Sequence, residues 1–108
     1  MGNVYLLLET DKYGQERHKI GMTKRDPQKR VKELSTGNSN VITILKNYET
    51  KNYKKIERLL HNKFIGQKTE SNNEWFTLTD EQVFGFDETC KKLDEMVNFM
   101  LENNPFYK

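Results

Sequence analysis

A single cysteine, Cys90, stands among the 108 residues, so no disulfide can form within the chain; this fits a reducing compartment. No apolar run approaches the roughly 18 residues of a membrane span. The start, Met1-Gly2-Asn3-Val4-Tyr5, lacks the basic and apolar regions of a signal peptide. Leu6 stands where a myristoylation signal needs serine or threonine. There is no internal repeat, low-complexity stretch or linker. His18 and His61 are the only histidines. These absences lead to the expectation of a soluble, intracellular protein of one domain, residues 1–108.

The hydrophobic fraction is also low, 34% against 31% charged. Aromatics at 11% and apolar positions in periodic segments nevertheless exclude a disordered chain. Net charge is only +2, but it is unevenly spread. Arg17 to Lys32 holds seven basic residues against Asp26, and Lys51 to Lys68 holds six against Glu57. From Glu74 to Glu102 the sign reverses, with eight acids against Lys91 and Lys92. A basic first two-thirds suits a phosphate-binding surface; solvated lysine is the plainer reading.

Periodicity predicts a strand over 3–9, a turn over 10–15 and a second strand over 17–22. Asp26 as N-cap and Pro27 at the first helical position open a helix with Val31 and Leu34 inward, which stops at Ser35-Thr36-Gly37-Asn38. A third strand follows over 41–48. A second helix over 52–64 carries Tyr53, Ile56, Leu60 and Phe64 at helical spacing. Residues 66–73 read as a polar loop and 74–78 as a short apolar segment with Trp75 and Phe76. Thr79-x-x-Gln82 is a capping box. Gly85-Phe86-Asp87 interrupts that helix, and an amphipathic helix then runs to 102 with Cys90, Leu93 and Val97 inward. The expected fold class is α+β: a small mixed or antiparallel sheet of about three strands flanked by helices, plus a C-terminal helix.

Five short motifs fall in order: Val4-Tyr5-Leu6, Lys19-Ile20-Gly21-Met22-Thr23, Arg30 to Leu34, Glu57 to Phe64 with its Glu-x-x-Leu-His-x-x-Phe spacing, and Glu74-Trp75-Phe76. This order resembles the GIY-YIG endonuclease superfamily, in the branch common in bacteriophages and large DNA viruses. The resemblance covers residues 3 to about 78 and sets 79–104 apart as a helical extension.

The resemblance implies a metal-dependent endonuclease that hydrolyses DNA phosphodiester bonds, with Mg or Mn as the divalent ion and, for a viral protein, the host cytoplasm or nucleus as its location. It implies Tyr5 for water activation and Arg30 as a planar cation for phosphate oxygens. It implies Glu57 as the carboxylate that holds the metal, with Gly21 as scaffold. Lys19 stands where the superfamily has its second tyrosine, which this branch commonly replaces with Lys-Ile-Gly, and it can meet phosphate as a point charge. His61, one helical turn after Glu57, is placed to bond a metal-bound water or a phosphate. Lys24, Arg25 and Lys29 are expected to bind nucleic acid. The superfamily's closing asparagine falls to Asn72 or Asn73. Two alternatives stand beside the nuclease: a nucleic-acid-binding module that has lost cleavage, and a protein-interaction domain using the acidic last helix.

Overall fold

Strand β1, Gly2–Thr10, is the hydrophobic centre of the protein, and its sequence shows why. Val4, Tyr5, Leu6 and Leu7 are consecutive and all buried, the pattern of a strand covered on both faces. The computed structural model describes residues 1–36, 40–69 and 75–103. Around β1 lie β2 (Glu16–Thr23), β3 (Val41–Thr50) and a two-residue β4 (Trp75–Phe76). The sheet is antiparallel throughout, in the order β3-β1-β2-β4. The sheet of about three strands gains a fourth in β4, which falls in the short apolar segment expected at 74–78.

The β1–β2 connection is tied by Asp11. Its backbone N–H donates to the Gln15 carbonyl, and its carboxylate accepts from the N–H groups of Tyr13 and Gln15. Gly14 adopts φ 79°, the left-handed conformation that glycine enters without a Cβ penalty.

Helix α1, Pro27–Ser35, begins as expected, with the Asp26 carboxylate accepting from Gln28 N–H at 3.0 Å. Its inward residues are less enclosed than the periodicity implies: α1 has no fully buried residue, and Val31 and Leu34 are half-covered. Helix α2, Tyr53–Lys63, buries Tyr53, Ile56 and Leu60, with Phe64 buried just beyond its end. Helix α3, Asp80–Phe84, carries the capping box, in which Thr79 and Gln82 satisfy each other's backbone N–H groups. Helix α4 is Phe86–Asn103. Of the stop expected at Ser35-Thr36-Gly37-Asn38, Thr36 is the C-cap of α1, and Gly37 and Asn38 lie outside the described residues.

Strand alternation divides the sheet into two faces. Val4, Leu6 and Ile20 point to one face and meet Ile56 and Leu60 of α2 with Phe86, Cys90 and Val97 of α4. The C-terminal helical extension, with Cys90 and Val97 inward as expected, supplies part of the main core. Polar contacts fix it further: the Asp94 carboxylate accepts from Tyr48 Oη, Thr50 Oγ1 and Asn52 Nδ2 at 2.9, 3.0 and 2.7 Å. Burial and then Asp94 push the Tyr48 phenol up to about 12. Burial likewise pushes the Cys90 thiol up to about 12, so Cys90 is a packing residue.

Candidate active site

The second face of the sheet is built differently. Antiparallel pairing sets Tyr5 opposite Gly21, Leu7 opposite Lys19 and Glu9 opposite Arg17. Directly paired residues share a face, so Tyr5, Lys19 and Gly21 stand together on the side away from α2 and α4. Tyr5 is 2% exposed, and its ring lies over Gly21. A Cβ at residue 21 would come within 2.5 Å of Tyr5 Cζ. Gly21 is glycine for space, since Gly14 alone has a positive φ among the described glycines.

Helix α1 approaches this face. Asn3, two residues from Tyr5, donates from Nδ2 to the Arg25 carbonyl at 3.3 Å and accepts from Asn47 Nδ2 at 3.1 Å. Arg30 comes from α1 to the Tyr5 side chain. Its interaction with the phenol is the leading reason its guanidinium is held protonated above the ordinary arginine range; burial opposes it and Glu33 assists. Glu33, which the sequence reading passes over, accepts from both arginines: Arg25 Nη2 at 2.7 Å and Arg30 Nη1 at 3.3 Å. Arg25 is the first cause of the downward shift of the Glu33 carboxyl. Arg25, Lys29 and Lys32 line a shallow depression of about 360 Å³ beside Glu33. Lys24 is exposed just before them in the β2–α1 connection.

Glu57 comes from the opposite layer. β4 pairs with β2 only at His18 and Lys19, so past Lys19 the outer edge of β2 has no strand beside it among the described residues. There α2 takes over. The Ile20 carbonyl accepts a hydrogen bond from His61 Nε2 at 2.8 Å, and the His61 ring meets Phe76 edge-on at 5.1 Å. Glu57 Oε1 lies 3.5 Å from the same Nε2, with both side chains largely covered at 17% and 18% exposure. Because a carbonyl only accepts, Nε2 is the donor in this contact. His61 thereby ties α2 to the edge of β2, with Glu57 one helical turn away beside its ring. Glu57, His61, Ile20, Gly21, Tyr5 and Arg30 form one path of neighbours around the end of β2.

Lys19 is buried, 8% exposed, with its Nζ 5.3 Å from the centre of the Trp75 ring. Asn72, Asn73 and Glu74 lie outside the described residues.

Residues 2–100 match the T5orf172 domain. The chain belongs to the T5orf172 domain family. No curated protein and no solved structure matches it. The T5orf172 domain is phage-associated and occurs in HNH and GIY-YIG-like endonuclease contexts, consistent with a nuclease or nucleic-acid-binding role. The T5orf172 match runs well past residue 78 and takes in α3 and most of α4. This agrees with the shared core, in which Phe86, Cys90 and Val97 pack with Val4 and Leu6. Among the described residues, no helix of this T5orf172 chain is long and apolar enough to cross a membrane.

Proposed function

We propose that the protein is a GIY-YIG-type endonuclease that hydrolyses DNA phosphodiester bonds with a divalent metal ion. The observation that carries the proposal is the packing of the Tyr5 ring over Gly21, with Arg30 interacting with the same phenol. A buried phenol meets a guanidinium there, from the helix that also carries Lys29 and Lys32.

In this reading Glu57 is the one carboxylate assigned to a Mg or Mn ion. Among the described residues no three of His, Cys, Asp and Glu gather into a metal site. A closed zinc-type centre needs about four such ligands. Magnesium commonly takes one or two carboxylates and leaves its other positions to water and phosphate. Glu57 supplies one carboxylate of that kind, held in place by His61. The bound cation would neutralise charge on the phosphate and on the departing oxygen.

The remaining work falls to side chains. Arg30 presents a planar fork of donors to phosphate oxygens. A guanidinium stabilises negative charge on the oxygen it touches, so Tyr5 in its phenolate form is suited to orient the attacking water and receive its proton, returning to the phenol. Lys19 places a second cation on the same face. Lys24, Arg25 and Lys29 extend the positive surface and hold the DNA backbone, contributing affinity without base selection. His61 acts through Glu57.

Plasmid nicking with magnesium or manganese tests the proposal. The wild-type protein is expected to nick, and Glu57→Ala and Arg30→Ala are expected to lose nicking while keeping the fold. DNA binding without nicking by the wild type would instead support a binding module that has lost cleavage. Neither binding nor nicking would sink both readings.

A further inference from the structure

Trp75 is the one tryptophan of the chain, and it stands directly opposite Lys19 in the β2–β4 pair. Its ring meets two cations. The Arg17 guanidinium carbon lies 4.1 Å from the ring centre, and Lys19 Nζ lies 5.3 Å away. Both fall inside the roughly 6 Å over which a cation is attracted to an aromatic face. Arg17 is itself tied down, because it forms a short ion pair with Glu9, whose side chain is 5% exposed. A line of contacts therefore runs from a buried carboxylate, through Arg17 and the indole, to the Lys19 ammonium.

This line lies on the sheet face that carries Tyr5. Arg17, Lys19 and Gly21 alternate along β2, and Gly21 is the partner of Tyr5. A lysine with four rotatable side-chain bonds ordinarily spreads its charge over many positions. Here the ammonium is withdrawn from water, and the indole is one of the partners that accept it. Arg17, stacked on the ring and anchored by Glu9, fixes the orientation of that partner.

We propose that Trp75 is a positioning residue for Lys19, holding its ammonium on the Tyr5–Gly21 face to meet a phosphate oxygen in the transition state. The proposal rests on the nuclease reading. It differs from a base-stacking role, since the ring is engaged by the protein's own cations. It also assigns the third residue of Glu9, Arg17 and Trp75 a task beyond packing.

Two measurements on the wild type, Trp75→Phe and Trp75→Leu test it. The first is the ring-current shift of the Lys19 ε-methylene protons in the free protein. An upfield shift is expected in the wild type, reduced in Trp75→Phe and lost in Trp75→Leu. The second is cleavage of a labelled duplex with magnesium. Trp75→Leu is expected to lower kcat by about 3- to 30-fold, the range a cation–π contact supports, with KM within about twofold; Trp75→Phe recovers most of it. No ring-current shift in the wild type would overturn the contact. Unchanged kcat in Trp75→Leu would overturn the role, as would a loss that tracks the melting temperature and is not recovered by phenylalanine. A ring-current shift with no cleavage by the wild type would contradict the nuclease reading and any role for Trp75 in it, while leaving the contact in place.

Discussion

The ring of Tyr5 occupies the space that a side chain at Gly21 would need. The two residues are register partners on adjacent strands, so neither can move away without disturbing the β1–β2 pair. Gly21→Ala is therefore expected to cost about 1–3 kcal/mol, the usual range for overpacking, and to displace the phenol from Arg30. Thermal unfolding measures the cost. In the Tyr5→Ala background the same substitution should be nearly neutral, because the obstruction is gone. Equal penalties in both backgrounds would show that the ring is not what Gly21 accommodates.

Glu33 holds Arg25 and Arg30 with one exposed carboxylate, in the place where an incoming phosphate would compete for them. Glu33→Gln keeps the shape and frees both cations. DNA binding should tighten, and the slope of log affinity against log salt should steepen by about one to two, as each added phosphate contact releases a counterion. An unchanged slope would mean that neither arginine reaches DNA phosphate.

Much of this arrangement is legible in the sequence because it depends on period and spacing. The apolar run of β1, the Asp26-Pro27 start of α1, the Tyr53-Ile56-Leu60-Phe64 stripe and the Thr79–Gln82 capping box each express a local rule, and each forms. The motif order likewise names Tyr5 and Arg30, which do meet. What escapes the sequence is pairing across distance. Nothing local says that β4 stops at Lys19 and leaves the Ile20 carbonyl to His61, or that Glu33 bridges two arginines. The Glu9–Arg17–Trp75 line joins a hairpin to a strand far along the chain, so only the sheet register reveals it. The last helix is legible only in part, for a related reason. Its amphipathic pattern shows an inner face but not which core that face completes.

Asp94 fastens α4 to β3 and to the start of α2 through three hydrogen bonds to one carboxylate. Asp94→Ala leaves the donors of Tyr48, Thr50 and Asn52 without it. Bonds to charged groups are worth about 1.5–3 kcal/mol each but do not add when they share an acceptor, so a loss of about 2–4 kcal/mol is expected in denaturant unfolding. Cleavage measured well below the melting temperature should survive, since Asp94 lies on the core side of the sheet. A loss under about 0.5 kcal/mol, the size of an ordinary surface change, would contradict this role.

His18 couples stability to pH. Burial lowers its pKa, with Glu16 and Asp80 acting the other way, and its Nδ1 accepts the Leu78 N–H at 3.2 Å. The folded state therefore favours the neutral ring. The unfolded chain binds the proton more readily, so this stabilisation is complete above the ordinary value near 6.5 and is lost as pH falls from there through the lowered folded value. Melting temperatures between pH 7.5 and 5.5 should fall, and less steeply in His18→Gln. An identical slope in the variant would remove His18 as the cause.

The central claim is that the Tyr5 hydroxyl, held by Arg30, takes part in phosphodiester cleavage. Tyr5→Phe removes that one oxygen and keeps the ring over Gly21. The most direct measurement is the single-turnover cleavage rate of a labelled duplex at saturating protein with magnesium, wild type against Tyr5→Phe. A fall of about 10²- to 10⁴-fold, the range for a lost proton-transfer group, is predicted, with the melting temperature nearly unchanged. Equal rates for the two proteins would contradict the account.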